Sequence, residues 1–129
     1  MSNFTKEIII ALLPGGKKWR LVESFSYDIG KEGGTTIEIP AGFVTDGASI
    51  PRVLWSIVGA PMTGKYVAAA ILHDYLYYTG IHSRSLCDEI FLEAMIALKV
   101  NKVKRYIIYW AVRSFGSTAW DRHRGNKFK

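Results

Sequence analysis

Thr63-Gly64-Lys65-Tyr66-Val67-Ala68-Ala69-Ala70-Ile71-Leu72-His73-Asp74-Tyr75-Leu76-Tyr77-Tyr78-Thr79-Gly80 divides this chain into two kinds of sequence. Its alanines and branched aliphatics run without a breaker to Gly80, the residue type that terminates a helix in the left-handed conformation. The stretch therefore predicts a helix over 63–78. Within it sits a polar dipeptide, His73-Asp74, which is costly among apolar neighbours unless both groups are paired. Asp74 shares a stripe with Val67, Ala70, Ile71 and Tyr78, and His73 lies about 100° away around the helix. Both can border one cleft, and both can equally be satisfied core groups.

Towards the carboxyl end the helical pattern continues. Ser85–Leu98 spaces Leu86, Ile90, Ala94 and Met95 for one apolar face, and Lys102–Phe115 does the same with Val103, Ile107, Trp110 and Ala111. Pro51 suits the first turn of a short helix over 52–58. Towards the amino end the pattern changes to strands. Glu7–Leu13 is an apolar run ended by Pro14-Gly15-Gly16, Trp19–Tyr27 alternates, and Thr35–Ile39 is rich in β-branched residues. Strands first and helices afterwards predict an α+β fold, a small antiparallel sheet packed against three to four helices. One domain over 1–129 is expected, strand-rich over 1–42, loop and helices over 43–117, and a basic tail over 118–129.

Composition narrows the class. With 129 residues, 49% hydrophobic and 13% aromatic, the chain has ample material for a packed core and too much for disorder. The single cysteine, Cys87, excludes an intramolecular disulfide and a multi-cysteine zinc site, and a buried, inert thiol is expected. No signal peptide or membrane-spanning segment is apparent, so the host bacterial cytoplasm is the expected location, with a virion as the other destination. Seventeen Lys and Arg against eleven Asp and Glu give a net charge of +6. That balance favours anionic small molecules or polymers as partners. Much of the excess lies late in the chain, where it can be merely solubilising, so specific nucleic-acid binding is not expected. Oligomeric state is left open.

Two further places put polar residues where pattern alone would not. Phe43-Val44-Thr45-Asp46-Gly47-Ala48-Ser49-Ile50-Pro51-Arg52 reads as a turn followed by a helix cap. The same residues also read as a loop carrying Asp46 and Ser49 as ligands or proton carriers. Asp88, with Ser85 as the N-cap, falls where the acid of a capping box belongs, and it alternatively extends the next helix's apolar stripe as a site residue.

These places, together with Trp55, Ser83-Arg84, Phe91 and Ala111-Val112-Arg113 with Phe115-Gly116, carry a resemblance over roughly residues 20–117. In that stretch the chain is similar to the phage and prophage family known as domain of unknown function 1353. The resemblance implies an origin in tailed phages or prophages and supplies no reaction. It marks Asp46, Ser49, Arg52, His73, Asp74, Arg84 and Asp88 as the shared polar positions, and the tail after Gly116 lies outside it.

Three functions are open to such a chain. The first is a small hydrolase acting on an anionic substrate, with Asp46, Ser49, His73 and Asp74 as the catalytic candidates. A divalent metal would draw on His73, Asp74 and Asp88. The phosphohydrolase scheme of a histidine followed by His-Asp fails, because no histidine precedes His73. A Ser49–His73–Asp triad lacks the Gly-x-Ser-x-Gly elbow. The second is a binding protein for a nucleotide signal or wall fragment, in which Arg52, Arg84, Arg113 and Tyr77 contact the ligand. The third is a virion or assembly component.

Overall fold

The computed structural model describes residues 4, 7–16, 18–30, 34–45 and 66–127. The helix expected over 52–58 and the residues Asp46, Ser49, Arg52 and Trp55 lie outside them. The chain is α+β, with antiparallel strands among the described residues up to Thr45 and helices among those from Val67 on. It divides into two compact units, Met1–Asp46 and Gly47–Lys129.

The first unit holds β1 (Ile10–Leu12), β2 (Trp19–Leu21), β3 (Phe25–Asp28), β4 (Thr36–Ile39) and β5 (Val44–Thr45). These form two small antiparallel sheets rather than the one expected, ordered β1-β2-β5 and β3-β4. Ile10 pairs with Leu21 and Leu12 with Trp19, across a turn in which Gly15 and Gly16 take φ of 102° and 73°. The expected single strand over 19–27 is broken in two, and the alternation shows why. Leu21, Phe25 and Tyr27 are buried at period two, whereas Glu23 occupies the inward parity between them and is exposed. A straight strand would bury that carboxylate, so the backbone bends at Val22–Glu23 and begins a new hairpin. Thr36 donates its hydroxyl to Asp28 Oδ1 at 2.8 Å across that hairpin, where the two residues are register partners.

In the second unit the helices are α1 (Val67–Thr79), α2 (Arg84–Ala97), α3 (Lys102–Phe115) and α4 (Ser117–Lys127). They pack as a ring, α1 on α2, α2 on α3, α3 on α4 and α4 back on α1. Ala68, Ala69, Ala70, Ile71, Leu72 and Leu76 bury most of α1, against a core that includes Ile90, Phe91, Ala94, Met95, Ile108 and Val112. Gly80 ends α1 in the left-handed conformation, φ 63°, with its N–H on the Leu76 carbonyl at 3.1 Å. No helix of the described residues is long and apolar enough to cross a membrane.

One expectation is corrected in this unit. Ser83, not Ser85, is the N-cap of α2, and its hydroxyl accepts from Leu86 N–H at 3.2 Å. Asp88 therefore lies beyond the capping-box position and is turned inward. Most of the basic stretch after Gly116 is helical, as α4. Trp120 sets its ring edge-on to Tyr77 with centroids 5.2 Å apart, and Arg124 Nη2 donates to the carbonyls of Tyr77 and Tyr78 at 2.7 and 3.0 Å. Those are carbonyls of the last turn of α1, which have no partner within their own helix.

Candidate functional site

Helix geometry brings the polar residues of α1 together with those of α2 and α3. His73 and Tyr77 are four residues apart, so they stack on one face of α1, with ring centroids 4.3 Å apart. Asp88 enters that face from α2. His73 Nε2 lies 2.7 Å from Asp88 Oδ1, and the Tyr77 hydroxyl donates to the same oxygen at 2.7 Å. From α3, Arg113 Nη1 donates to Asp88 Oδ2 at 2.7 Å. One carboxylate thus ties three helices together. His73, Tyr77 and Asp88 are all 0% exposed, and the Arg113 side chain, 29% exposed, forms the solvent-facing edge of the network.

Outer contacts hold these groups in place. Phe91 stacks on the His73 ring at 4.4 Å with an interplanar angle of 30°. Arg84 donates from Nη2 to the carbonyls of Val112 and Arg113, each at 2.8 Å, and from Nε to the Tyr77 hydroxyl at 3.3 Å. Those carbonyls end α3, so the Arg84 charge meets the negative end of a helix dipole. Gly116 makes the approach feasible. A Cβ there would collide with the Val112 carbonyl and stand 2.8 Å from the Tyr77 hydroxyl.

The electrostatics follow from this geometry. Burial works to raise the Asp88 pKa, and the hydrogen bonds from His73, Tyr77 and Arg113 outweigh it, holding the carboxyl below its usual range. An ionised carboxylate only accepts, so His73 Nε2 carries the hydrogen and Nδ1 is the remaining nitrogen of the ring. The Tyr77 phenol is pushed above its usual range by burial and then by the Asp88 charge. It stays a neutral donor. Arg113 is raised chiefly by its hydrogen bond to Asp88. Burial first, and the neighbouring Asp88 charge second, push the Cys87 thiol up to about 12, which leaves it unreactive at neutral pH.

Of the residues singled out from sequence, His73, Tyr77, Arg84, Asp88 and Arg113 come together in this network. Asp74 is buried too, at 5% exposure, one residue round α1 from His73. Asp46, Ser49 and Arg52 lie outside the described residues. Among the described residues no group of three or more His, Cys, Asp and Glu side chains could hold a metal ion, so His73, Asp74 and Asp88 are not assembled as a ligand set. Arg124 and Trp120, which support Tyr77 from α4, were not singled out. Trp120 and Arg124 stand four residues apart, the spacing that puts two side chains on one face of a helix, and that spacing was available in the sequence.

The family described as Protein of unknown function (DUF1353) matches residues 19–112. An uncharacterized protein of Sinorhizobium fredii (strain NBRC 101917 / NGR234), y4jT, is 36% identical over 98 residues, 76% of this chain and 29% of that protein. A second uncharacterized protein of the same strain, y4iH, is 35% identical over 72 residues, 56% of this chain and 30% of that protein. The chain spans less than a third of the length of either relative. No solved structure matches it with significance. Every described residue of the network except Arg113 falls within the family match.

Proposed function

The chain belongs to the DUF1353 family of proteins of unknown function, and we propose that it is a small phage-encoded hydrolase whose general base is His73. The observation that carries this reading is the 2.7 Å hydrogen bond from His73 Nε2 to a carboxylate that Tyr77 and Arg113 both hold. An orienting carboxylate of this kind fixes the imidazole tautomer and so assigns the proton-accepting role to Nδ1. When Nδ1 takes a proton from water or a hydroxyl, the imidazolium that forms is stabilised by Asp88. Tyr77 and Arg113 keep Asp88 ionised and in register for that step. On residue type, Ser49 and Arg52 are the candidates for donors to an anionic substrate, and Asp46 and Asp74 for further proton carriers or metal ligands. The ring is 0% exposed, so the reading requires that it be uncovered when substrate binds.

That same burial favours a second reading, in which the network is a staple for the helices and the chain acts by binding a ligand or as a virion component. His73→Gln separates the two. Glutamine keeps an N–H donor in the place of Nε2 and deletes the Nδ1 lone pair. The purified chain and this variant would be assayed with chromogenic carboxylic esters, phosphomonoesters and phosphodiesters, with and without zinc, manganese or magnesium. Turnover by the native chain that falls about 10²–10⁴-fold in a folded His73→Gln variant supports the general base. No turnover across the panel, or undiminished turnover by the variant, sinks it and leaves the staple.

A further inference from the structure

The outward face of α3 is not explained by the buried network. Val103, Tyr106, Ile107 and Trp110 repeat at spacings of three and four along Lys102–Phe115, so they form one stripe. All four are exposed, Val103 at 66% and Trp110 at 62%. The helix carries Lys102, Lys104, Arg105 and Arg113 and no acidic residue at all. Arg113 is paired with Asp88. Arg105 is half-buried, donates to the Val100 carbonyl at 3.3 Å and lies over the Tyr106 ring. Lys102 and Lys104 are exposed in the first turn, where the helix dipole disfavours positive charge. Placing them there works against the helix, and placing the apolar stripe in water gains nothing for the fold. Both choices are explained by something that covers the face.

We propose that this face docks on an anionic lipid surface. Charge complementarity selects that occupant. A second copy of the chain would bring the same positive helix, with no carboxylate on it to meet Lys102 and Lys104. A nucleic acid would use the aromatics, but Val103 and Ile107 offer no ring to stack on bases. A lipid interface uses every part of the stripe. Aliphatic residues enter the acyl boundary, Trp110 and Tyr106 sit at headgroup depth, and Lys102 and Lys104 reach anionic headgroups along their flexible stems. The inference stands on α3 alone and does not depend on His73 being a base.

Co-sedimentation with vesicles tests it. One set would be pure phosphatidylcholine, the other equal parts phosphatidylcholine and phosphatidylglycerol. The intact chain should bind the anionic vesicles, not the neutral ones, and lose most binding in about 0.5 M salt. Val103→Ser with Trp110→Ser should weaken binding at least about tenfold, as should Lys102→Glu with Lys104→Glu. Lys18→Glu with Arg20→Glu changes net charge equally at two exposed strand-region positions and should bind like the native chain. Failure to bind anionic vesicles overturns the proposal. So does equal loss in the Lys18/Arg20 control, which would mean attraction by net charge alone. A concentration-dependent dimer abolished by Val103→Ser with Trp110→Ser, without vesicle binding, would assign the face to self-association. Retained affinity for an acidic protein surface with no vesicle binding would assign it to a protein partner.

Discussion

Replacing Asp88 by alanine strikes the network at its centre. The change removes the acceptor for His73 Nε2–H, Tyr77 O–H and Arg113 Nη1–H, each at 2.7 Å. His73 and Tyr77 are 0% exposed, so each buried donor left without a partner costs about 1–3 kcal/mol. Arg113 is 29% exposed and can turn to water, which limits its share to about 1 kcal/mol or less. Removing a buried carboxylate also returns part of its desolvation cost, so the expected total is about 3–5 kcal/mol, the range for breaking one side of a buried ion pair. Asp88→Asn should cost only about 1–2 kcal/mol, since its carbonyl oxygen still accepts from His73 and Tyr77 while its amide displaces Arg113 towards solvent. Urea unfolding at neutral pH, followed by the helical circular dichroism signal, measures both. A loss under about 1 kcal/mol for alanine, or equal losses for the two variants, would refute the idea that this carboxylate organises the helices.

Acid stability should report the same group. The folded Asp88 pKa lies below its unfolded value of about 3.9. The lowered value means the contribution is fully present above about pH 4 and is lost as pH falls through the folded pKa. Unfolding free energies of the native chain and Asp88→Asn should therefore converge in acid, and a constant gap down to that region would contradict the assignment. Gly116→Ala should cost about 1–3 kcal/mol by crowding Val112 and Tyr77, although its φ of −75° suits any residue. A neutral or stabilised alanine variant in thermal unfolding would show that the contact yields freely. Cys87, buried with its pKa at about 12, should resist a thiol-specific disulfide reagent in the native chain and react on unfolding. Stoichiometric reaction of folded protein within mixing time would show the thiol to be accessible.

Helix boundaries were read closely from sequence where a local signal sets them. Lys102–Phe115 agrees residue for residue, and Gly80 ends α1 as its lack of a Cβ allows. Boundaries that depend on competition between neighbours were less legible. Ser83 and Ser85 are both acceptable caps by residue type, and only the packed position of α2 selects Ser83. The break at Glu23 depends on which side of the strand becomes buried.

The sequence by itself determined the order of strands and helices, the burial of the lone cysteine and the short set of polar residues that apolar helices cannot carry unpaired. Periodicity, glycine placement and the cost of burying a charge are local properties, readable one segment at a time. Only the tertiary structure decided how those residues are partnered. His73 bonds Asp88, fifteen residues away in the sequence, because that partner arrives on its face from α2. Arg113 and Arg84 join through the crossing of α3, and Arg124 reaches back from α4 to the end of α1. Those pairings depend on how the helices are arranged in space, which no single stretch of sequence encodes.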